Sequence, residues 1–454
     1  VRHSRRRAAI LCLIACAGTA ALLRPGEVTG RDLAAPLDFK GRMLVSVSDA
    51  DMLASAYVNG ELGPREGSDA LAVVPLGAHP RDLKAFEAPV SNSVAGPPAA
   101  VAVSPDGRYA VVVETFAPRS AAERAGERFS DLRPGRALTV IDLGDPTRPT
   151  VVQVVEGLER PDSVSFSADG SLVAVTHHPL GAGRAAPIAL YPFSSGRLGT
   201  AVAPAIPGWL PGDRLIHAEF HPHQSLLGLL NETKAEISFV RVEGMGEGVR
   251  LVAHGNTVRI EKSPYLLRFT PDGRHAVVNG LYWGPDVQGT WNEAPRGSVA
   301  SVRLDAGRDR DGSPRHALVS RAQTGVSPEG LAVSPDGTLV VTTNLERSYL
   351  PYDDPRQTFF SSLTLLRLDP RTGALSRVGD FPSDGILPEA AAFDASGRYL
   401  AVTTYDHYDD RRRGGAIDFW RVARDPLDPA RLELVRTEHA VPVTRGVHSM
   451  VLVK

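Results

Sequence analysis

The chain has 454 residues, with 50 Lys+Arg against 52 Asp+Glu and a formal net charge of -2. That balance supplies no basic field for nucleic acid and no acidic excess of the kind found in disordered tails. Gly 43 and Pro 36 are abundant, as expected where many turns separate short strands.

At the N-terminus, Arg2, Arg5, Arg6 and Arg7 precede the apolar run 8–17 (AAILCLIACA) and the small residues Gly18, Thr19 and Ala20. This run is too short to span a bilayer and reads as a secretory signal over residues 1–21. Leu13-Ile14-Ala15-Cys16 also resembles a bacterial lipobox, with Cys16 as the lipidation candidate; the alternative is a cleaved, soluble export. Ser4-Arg5-Arg6 weakly resembles the start of a twin-arginine signal. The expected location is periplasmic, cell-surface or secreted, with membrane contact only through such an anchor. Both cysteines, Cys12 and Cys16, lie in this segment, so the folded part offers neither disulfide nor thiolate. Residues 22–42 lack a pattern and read as a tether.

From Met43 onward strands dominate. The run 43–48 (MLVSVS) is strand-like, as are 69–75 and 83–89. Six copies of one phrase follow: 101–113 (VAVSPDGRYAVVV), 164–176 (VSFSADGSLVAVT), 218–230 (AEFHPHQSLLGLL), 267–279 (LRFTPDGRHAVVN), 331–343 (LAVSPDGTLVVTT) and 391–403 (AAFDASGRYLAVT). Two alternating apolar runs joined by a Pro/Asp/Gly turn predict a β-hairpin. Each hairpin is followed by two more strand-like runs, such as 137–143 and 150–155, or 362–368 and 374–378. Four antiparallel strands per repeat make a propeller blade, and recurrence every 50–65 residues or so makes an array of them. The end of the chain, 447–453 (VHSMVLV), is a lone inner strand. Paired with 43–48 it completes a seventh blade, closes the ring and removes the free edges. Residues 43–454 are therefore expected to form one all-β, seven-bladed propeller, and a monomer.

Calling the strands A to D from the axis outward, the A–B turns are minimal while the B–C connections are long. The connections 49–68, 116–136, 281–297, 345–361 and 405–415 carry Tyr57, Phe129, Tyr282, Trp283, Trp291, Tyr349, Tyr352, Tyr405, His407 and Tyr408. Long loops gathered on one face of a rigid scaffold commonly carry function. Aromatic side chains beside polar groups suit protein, peptide or glycan partners. A binding face would leave Trp283, Trp291, Tyr352 and Tyr405 exposed; the alternative is that the loops cover one another and cap the channel.

The D–A connections share that face. Aligned on the hairpin turn, Pro161-Asp162, Pro264-Tyr265, Pro328-Glu329 and Pro388-Glu389 form one column, with Ile216 before His217 at the same place. Arg445 and His448 arrive at about that height from the last strand. Asp162, His217, Glu329, Glu389 and His448 are thus expected near one channel mouth. They could bind a divalent cation or polarise water or, as carboxylates, pin neighbouring blades through backbone N–H groups. No spacing matches a metal motif, no haem or cofactor signal is present, and neither metal nor cofactor is expected. His177-His178 and His221-Pro222-His223 read as surface or turn residues.

The repeats and closure resemble the seven-bladed lactonase-like and YVTN-repeat propellers, which include enzymes of the 6-phosphogluconolactonase and carboxymuconate cyclase type. The stretch Arg214-Leu-Ile-His217-Ala-Glu-Phe220-His221-Pro222 with Asn231-Glu232 is similar to the family's Pro-Arg-His…Phe-His-Pro…Asn-Glu signature. The match puts His217 and Glu232 in site positions. It departs where Ile216 replaces the family's Arg, with Arg214 two residues earlier. It departs again at Pro328-Glu329-Gly330, and at Arg160-Pro161-Asp162-Ser163, where a His is usual. Two functions follow as expectations. One is an exported binding module using the aromatic face, with Asp162, Tyr265, Trp283, Trp291, Tyr352, Tyr405, Arg445 and His448 as binding residues. The other is a lactone or ester hydrolase. In it His217 or Glu232 acts as base, Glu329 or Glu389 as acid or water-positioning group, and Arg214 or Arg445 as anion clamp.

Overall fold

The computed structural model describes residues 37–65, 67–119, 127–178, 187–244, 246–282, 294–408, 414–425, 427–428 and 430–454. The expected signal segment with Cys16, the tether up to residue 36, and Trp283 and Trp291 lie outside them. No helix among the described residues is long and apolar enough to cross a membrane.

Seven antiparallel sheets of four main strands each form the ring. The first blade is made by Val447–Val453, Met43–Ser48, Ala70–Pro75 and Phe86–Pro89, so the last strand of the chain is its innermost. Met43 faces Val453 and Val47 faces Ser449, which fixes the closing register. In the remaining blades the inner strands are Val101–Val103, Pro161–Phe166, Leu215–Phe220, Pro264–Phe269, Pro328–Val333 and Ala391–Phe393. All six hairpins expected from the repeated phrase are present. Residues 37–42, read from sequence as tether, are docked. Leu37 and Phe39 are buried against Phe419 and Met450, the Lys40 N–H donates to Asp394, and Arg42 donates to the Gly107 carbonyl. Two apolar side chains in an otherwise polar stretch are enough to hold it against the ring.

The repeated Ser-Pro-Asp-Gly turn is specified by its own side chains. In the second blade the Ser104 hydroxyl donates to Asp106 and accepts the Tyr109 N–H, while Asp106 accepts the Arg108 N–H. Gly107 takes the left-handed conformation, φ 69, which an L side chain resists. The same set recurs at Ser167/Asp169 and Ser334/Asp336.

At the other end of the hairpins the ladder is interrupted. The inner strand skips Asp162 in the third blade, Ile216 in the fourth, Tyr265 and Leu266 in the fifth, Glu329 in the sixth and His448 in the first. These residues are the column aligned from sequence. Such bulges re-aim side chains and are frequent beside active sites. In the third, fifth and sixth blades, and at Ala390 ahead of the seventh blade's inner strand, a backbone N–H left out of the ladder is taken by a side chain on the second strand. Ser163 donates to Thr176 Oγ1 at 3.0 Å, Leu266 to Asn279 Oδ1 at 2.7 Å, Gly330 to Thr343 Oγ1 at 2.9 Å and Ala390 to Thr403 Oγ1 at 2.9 Å. The threonines and asparagine that end four of the repeated phrases are therefore bulge acceptors. Thr343→Val, which keeps shape but leaves the buried Gly330 N–H unpaired, is expected to lower unfolding stability by about 1–3 kcal/mol. Thr343→Ser should lose less than half of that. Denaturant unfolding of the two variants measures it, and equal loss in both would show that the hydroxyl is not the acceptor that matters.

Candidate functional site

A cavity of about 400 Å3 opens on the face of the B–C and D–A connections. Its lining comes from the lead-ins to six successive blades, Gly96, Arg160, Arg214, Tyr265, Glu329 and Leu387 among them, which places it on the propeller axis. The long loops do not leave the axis open all round. Met52, Ala56, Leu62, Leu345, Tyr349, Leu350, Leu387 and Tyr405 form one buried apolar cluster, with Tyr57 and Phe129 packed on it. The loops of the first, second, sixth and seventh blades thus cover one another on one side of the mouth. The cavity lies beside this plug, which contributes Tyr57, Phe129 and Leu387 to its lining, while Arg160, His178, Arg214, Glu232, Ser263, Tyr265 and Leu281 come from the third, fourth and fifth blades.

This packing corrects the expected exposure of Tyr405, which is 1% exposed and donates its hydroxyl to the Met52 carbonyl. Tyr349 is equally buried, whereas Tyr352 is 77% exposed, as expected of a binding face. His177, read as a surface residue, is fully buried; its Nδ1 donates to the Glu159 carbonyl, and burial pushes it down to about 4. His221 is buried as well and donates to the Gly273 carbonyl.

Arg214 and Glu232 meet in the cavity wall, Nη1 to Oε2 at 2.8 Å. His217 does not join them in that wall. It is buried in its strand, its Nδ1 accepts the Leu267 N–H at 3.3 Å, and burial holds its imidazole far below the usual range. His448 is buried within the ring's closing strand with Nε2 2.6 Å from Asn92 Oδ1, and burial pushes it down to about 3. Arg445 donates to the Ala50 carbonyl at 3.1 Å. Neither lines the cavity.

Glu329 does line it, 7% exposed, and burial pushes its carboxyl up to about 8 against a hydrogen bond from Tyr265. Glu389, 1% exposed, is likewise raised well above the usual carboxylate range, first by burial and then by the charge of Glu329. Burial and these carboxyls raise the Tyr265 and Tyr57 hydroxyls as well. Of these groups Glu329, Tyr265 and Tyr57 line the cavity and Glu389 does not.

The lining also carries two guanidinium groups, Arg160 and Arg214, the second of them paired with Glu232. Arg160, two residues before Asp162, sits over the Phe116 ring at 4.6 Å, and burial lowers its guanidinium. Its Nε, like that of Arg214, is buried with no hydrogen-bond partner among the described residues. Asp162 is 2% exposed beneath Gly96, where an added Cβ would come within 2.5 Å of Oδ1. Neither Asp162 oxygen has a hydrogen-bond partner among the described residues, and His178 Nδ1 stands 3.6 Å from Oδ2. His178 lines the cavity too.

Arg160 and His178 were not singled out from the sequence, although the repeat carried the signal. Arg160 stands two residues before Asp162 as Arg214 does before Ile216, and His178 follows its second strand as Glu232 follows Asn231. Arg160, Ser263, Ser327 and Leu387, equivalent in four blades, all have φ between 50 and 53. For non-glycine residues this costs about 1–2 kcal/mol each, so recurrence in four blades marks a feature of the repeat.

No known family's sequence profile matches the chain, and no curated protein matches it. Solved structures do. The periplasmic gluconolactonase of Pseudomonas aeruginosa is 17% identical, with TM-score 0.58 over 90% of this chain and 99% of its own. A proposed 6-phosphogluconolactonase of Bacteroides uniformis is 16% identical, with TM-score 0.55 over 91% and 100%. A hypothetical selenium-binding protein of Sulfolobus tokodaii is 12% identical, with TM-score 0.54 over 93% and 95%. At these identities the likeness speaks for the fold alone. That fold is the one of the lactonase-like seven-bladed propellers.

Proposed function

We infer that this protein opens lactones by hydrolysis in the axial cavity. The observation that carries the reading is a single cavity whose lining holds two guanidinium groups together with a carboxyl kept protonated near neutrality. Water adds to the lactone carbonyl carbon, the ring C–O bond breaks, and the departing alkoxide needs a proton. Arg160 and Arg214 suit the developing oxyanion, or a carboxylate elsewhere on the substrate. The imidazole of His178 beside Asp162 suits proton abstraction from water, and Glu329 suits donation to the leaving oxygen. Glu232 holds Arg214 in place. Two of the structurally similar proteins are described as gluconolactonases, which supports a polyhydroxy-acid lactone as substrate. The basic and then apolar N-terminus supports export, and one of those neighbours is periplasmic.

Hydrolysis of a panel of sugar-acid and aliphatic lactones tests the reading. Arg160→Ala and Arg214→Ala are each expected to lower kcat/KM by about 100-fold. His217→Ala is expected to leave the rate within about threefold, because the ring lies outside the cavity. No turnover above the uncatalysed rate, or full activity in both Arg variants, would overturn it. A second reading, a surface that binds a protein, peptide or glycan, is favoured by exposed Tyr352 packed edge-on against half-exposed Phe359, itself 5.6 Å from Tyr408. Tyr352→Ala separates the two readings, since it strips that surface and leaves the cavity intact.

A further inference from the structure

Away from the cavity, the seam between the outer strands of the fourth and fifth blades brings together two imidazoles and a carboxylate. His254 follows the strand Arg250–Ala253, Asp305 lies in Arg296–Arg308 and His316 in Pro314–Val326. Their ligating atoms all fall within 4.8 Å of one another, and none of the three lines the cavity. We propose that His254, Asp305 and His316 form a binding site for a zinc-class divalent cation that joins these two blades.

The hydrogen bonds around His316 fix its tautomer. Its Nε2 lies 2.6 Å from the His254 carbonyl, which can only accept, so Nε2 carries the proton and Nδ1 keeps its lone pair. A metal-ligating histidine commonly donates its other N–H to a carbonyl in this way, which orients the ring and raises its basicity. Nδ1 is engaged only by the Asp305 N–H at 3.2 Å, the long end of the normal range. The ring's backbone is clamped by Asn256, which accepts the His316 N–H at 2.7 Å and donates to its carbonyl at 3.2 Å. Gly255 allows the close approach, since a Cβ there would meet the Pro314 carbonyl at 2.2 Å and His316 Nε2 at 2.6 Å.

His254 is held half-way. Its Nε2 stands 3.4 Å from Asp305 Oδ1, while its Nδ1 is buried with no hydrogen-bond partner among the described residues. Asp305 adopts φ 48, an uncommon conformation for a non-glycine residue, and stands where the strand register shifts between Arg303 and Gly307. It is exposed, so a cation could enter from solvent and keep a water ligand. Two histidines, one carboxylate and an open position are a familiar zinc donor set.

Calorimetric titration of the chelator-stripped full chain with Zn2+ tests the proposal, alongside visible absorption with Co2+. The expected result is one saturable equivalent of Zn2+, four-coordinate Co2+ bands and a melting temperature raised by about 2 °C or more at saturation. Asp305→Asn and His254→Gln should each weaken binding at least about tenfold while melting like the wild type without metal. Absence of saturable binding, or binding of unchanged affinity in both variants, would overturn the site.

Discussion

Deleting residues 447–454 is expected to destroy cooperative folding of the whole propeller. The lost strand supplies the innermost position of the first blade, pairing with Met43–Ser48 along its length. Val447, Met450 and Val453 are buried, and Ser449 Oγ accepts the Ala100 N–H of the next blade at 3.1 Å. Burial of a large aliphatic side chain contributes about 1.5–3 kcal/mol. Three such side chains with their ladder therefore approach the whole stability of a typical domain, about 5–15 kcal/mol. The truncation would also expose Met43–Ser48 as a flat apolar edge, a template for aggregation. Limited proteolysis and thermal unfolding of the soluble fraction measure the effect. A truncated chain with the protease resistance and melting temperature of the full one would mean that the circle is held shut by something other than this strand.

Unfolding stability should fall as pH rises from 6.5 to 8. Glu329 is pushed from an ordinary 4.5 up to about 8, Asp69 from 3.8 up to about 9, and Glu389 is raised in the same direction, in each case first by burial. The fold then holds protons that the unfolded chain has released, and stability declines with pH between the unfolded and folded values. For Glu329 alone the interval from 6.5 to 8 corresponds to about 2 kcal/mol at 1.36 kcal/mol per pH unit. Below 6.5 the buried histidines oppose this trend. His177 and His448 are lowered to about 4 and about 3, so the unfolded chain gains protons that the fold refuses, and their contribution is lost as pH falls. Glu329→Gln should flatten the alkaline decline by about 2 kcal/mol and melt higher than wild type at pH 8. Denaturant midpoints across pH 5–9 check this. Stability that is level or rising from 6.5 to 8 in the wild type would mean the axial carboxyls are solvated and ionised.

The propeller, its seven blades and its closure were legible in the chain because they follow from local rules repeated six times. Alternating apolar residues set the strands, and Ser/Thr-Pro-Asp-Gly sets the turn through its own side-chain hydrogen bonds. The lone strand-like runs at 43–48 and 447–453 complement each other. The column of Asp162, Ile216, Tyr265, Glu329 and Glu389 was legible for the same reason, since every member sits at one fixed distance from its turn. What the column does was decided in three dimensions. Which side of the mouth is plugged depends on Tyr405, Tyr349 and Met52 meeting across blades far apart in sequence. That Arg160 and His178 share a cavity with Arg214 and Glu232 depends on ring geometry, which brings equivalent positions of successive blades to one axis. Burial then sets the charge of the site, holding Glu329 and Glu389 protonated. Desolvation depends on everything packed around a carboxyl, and no stretch of sequence contains that information.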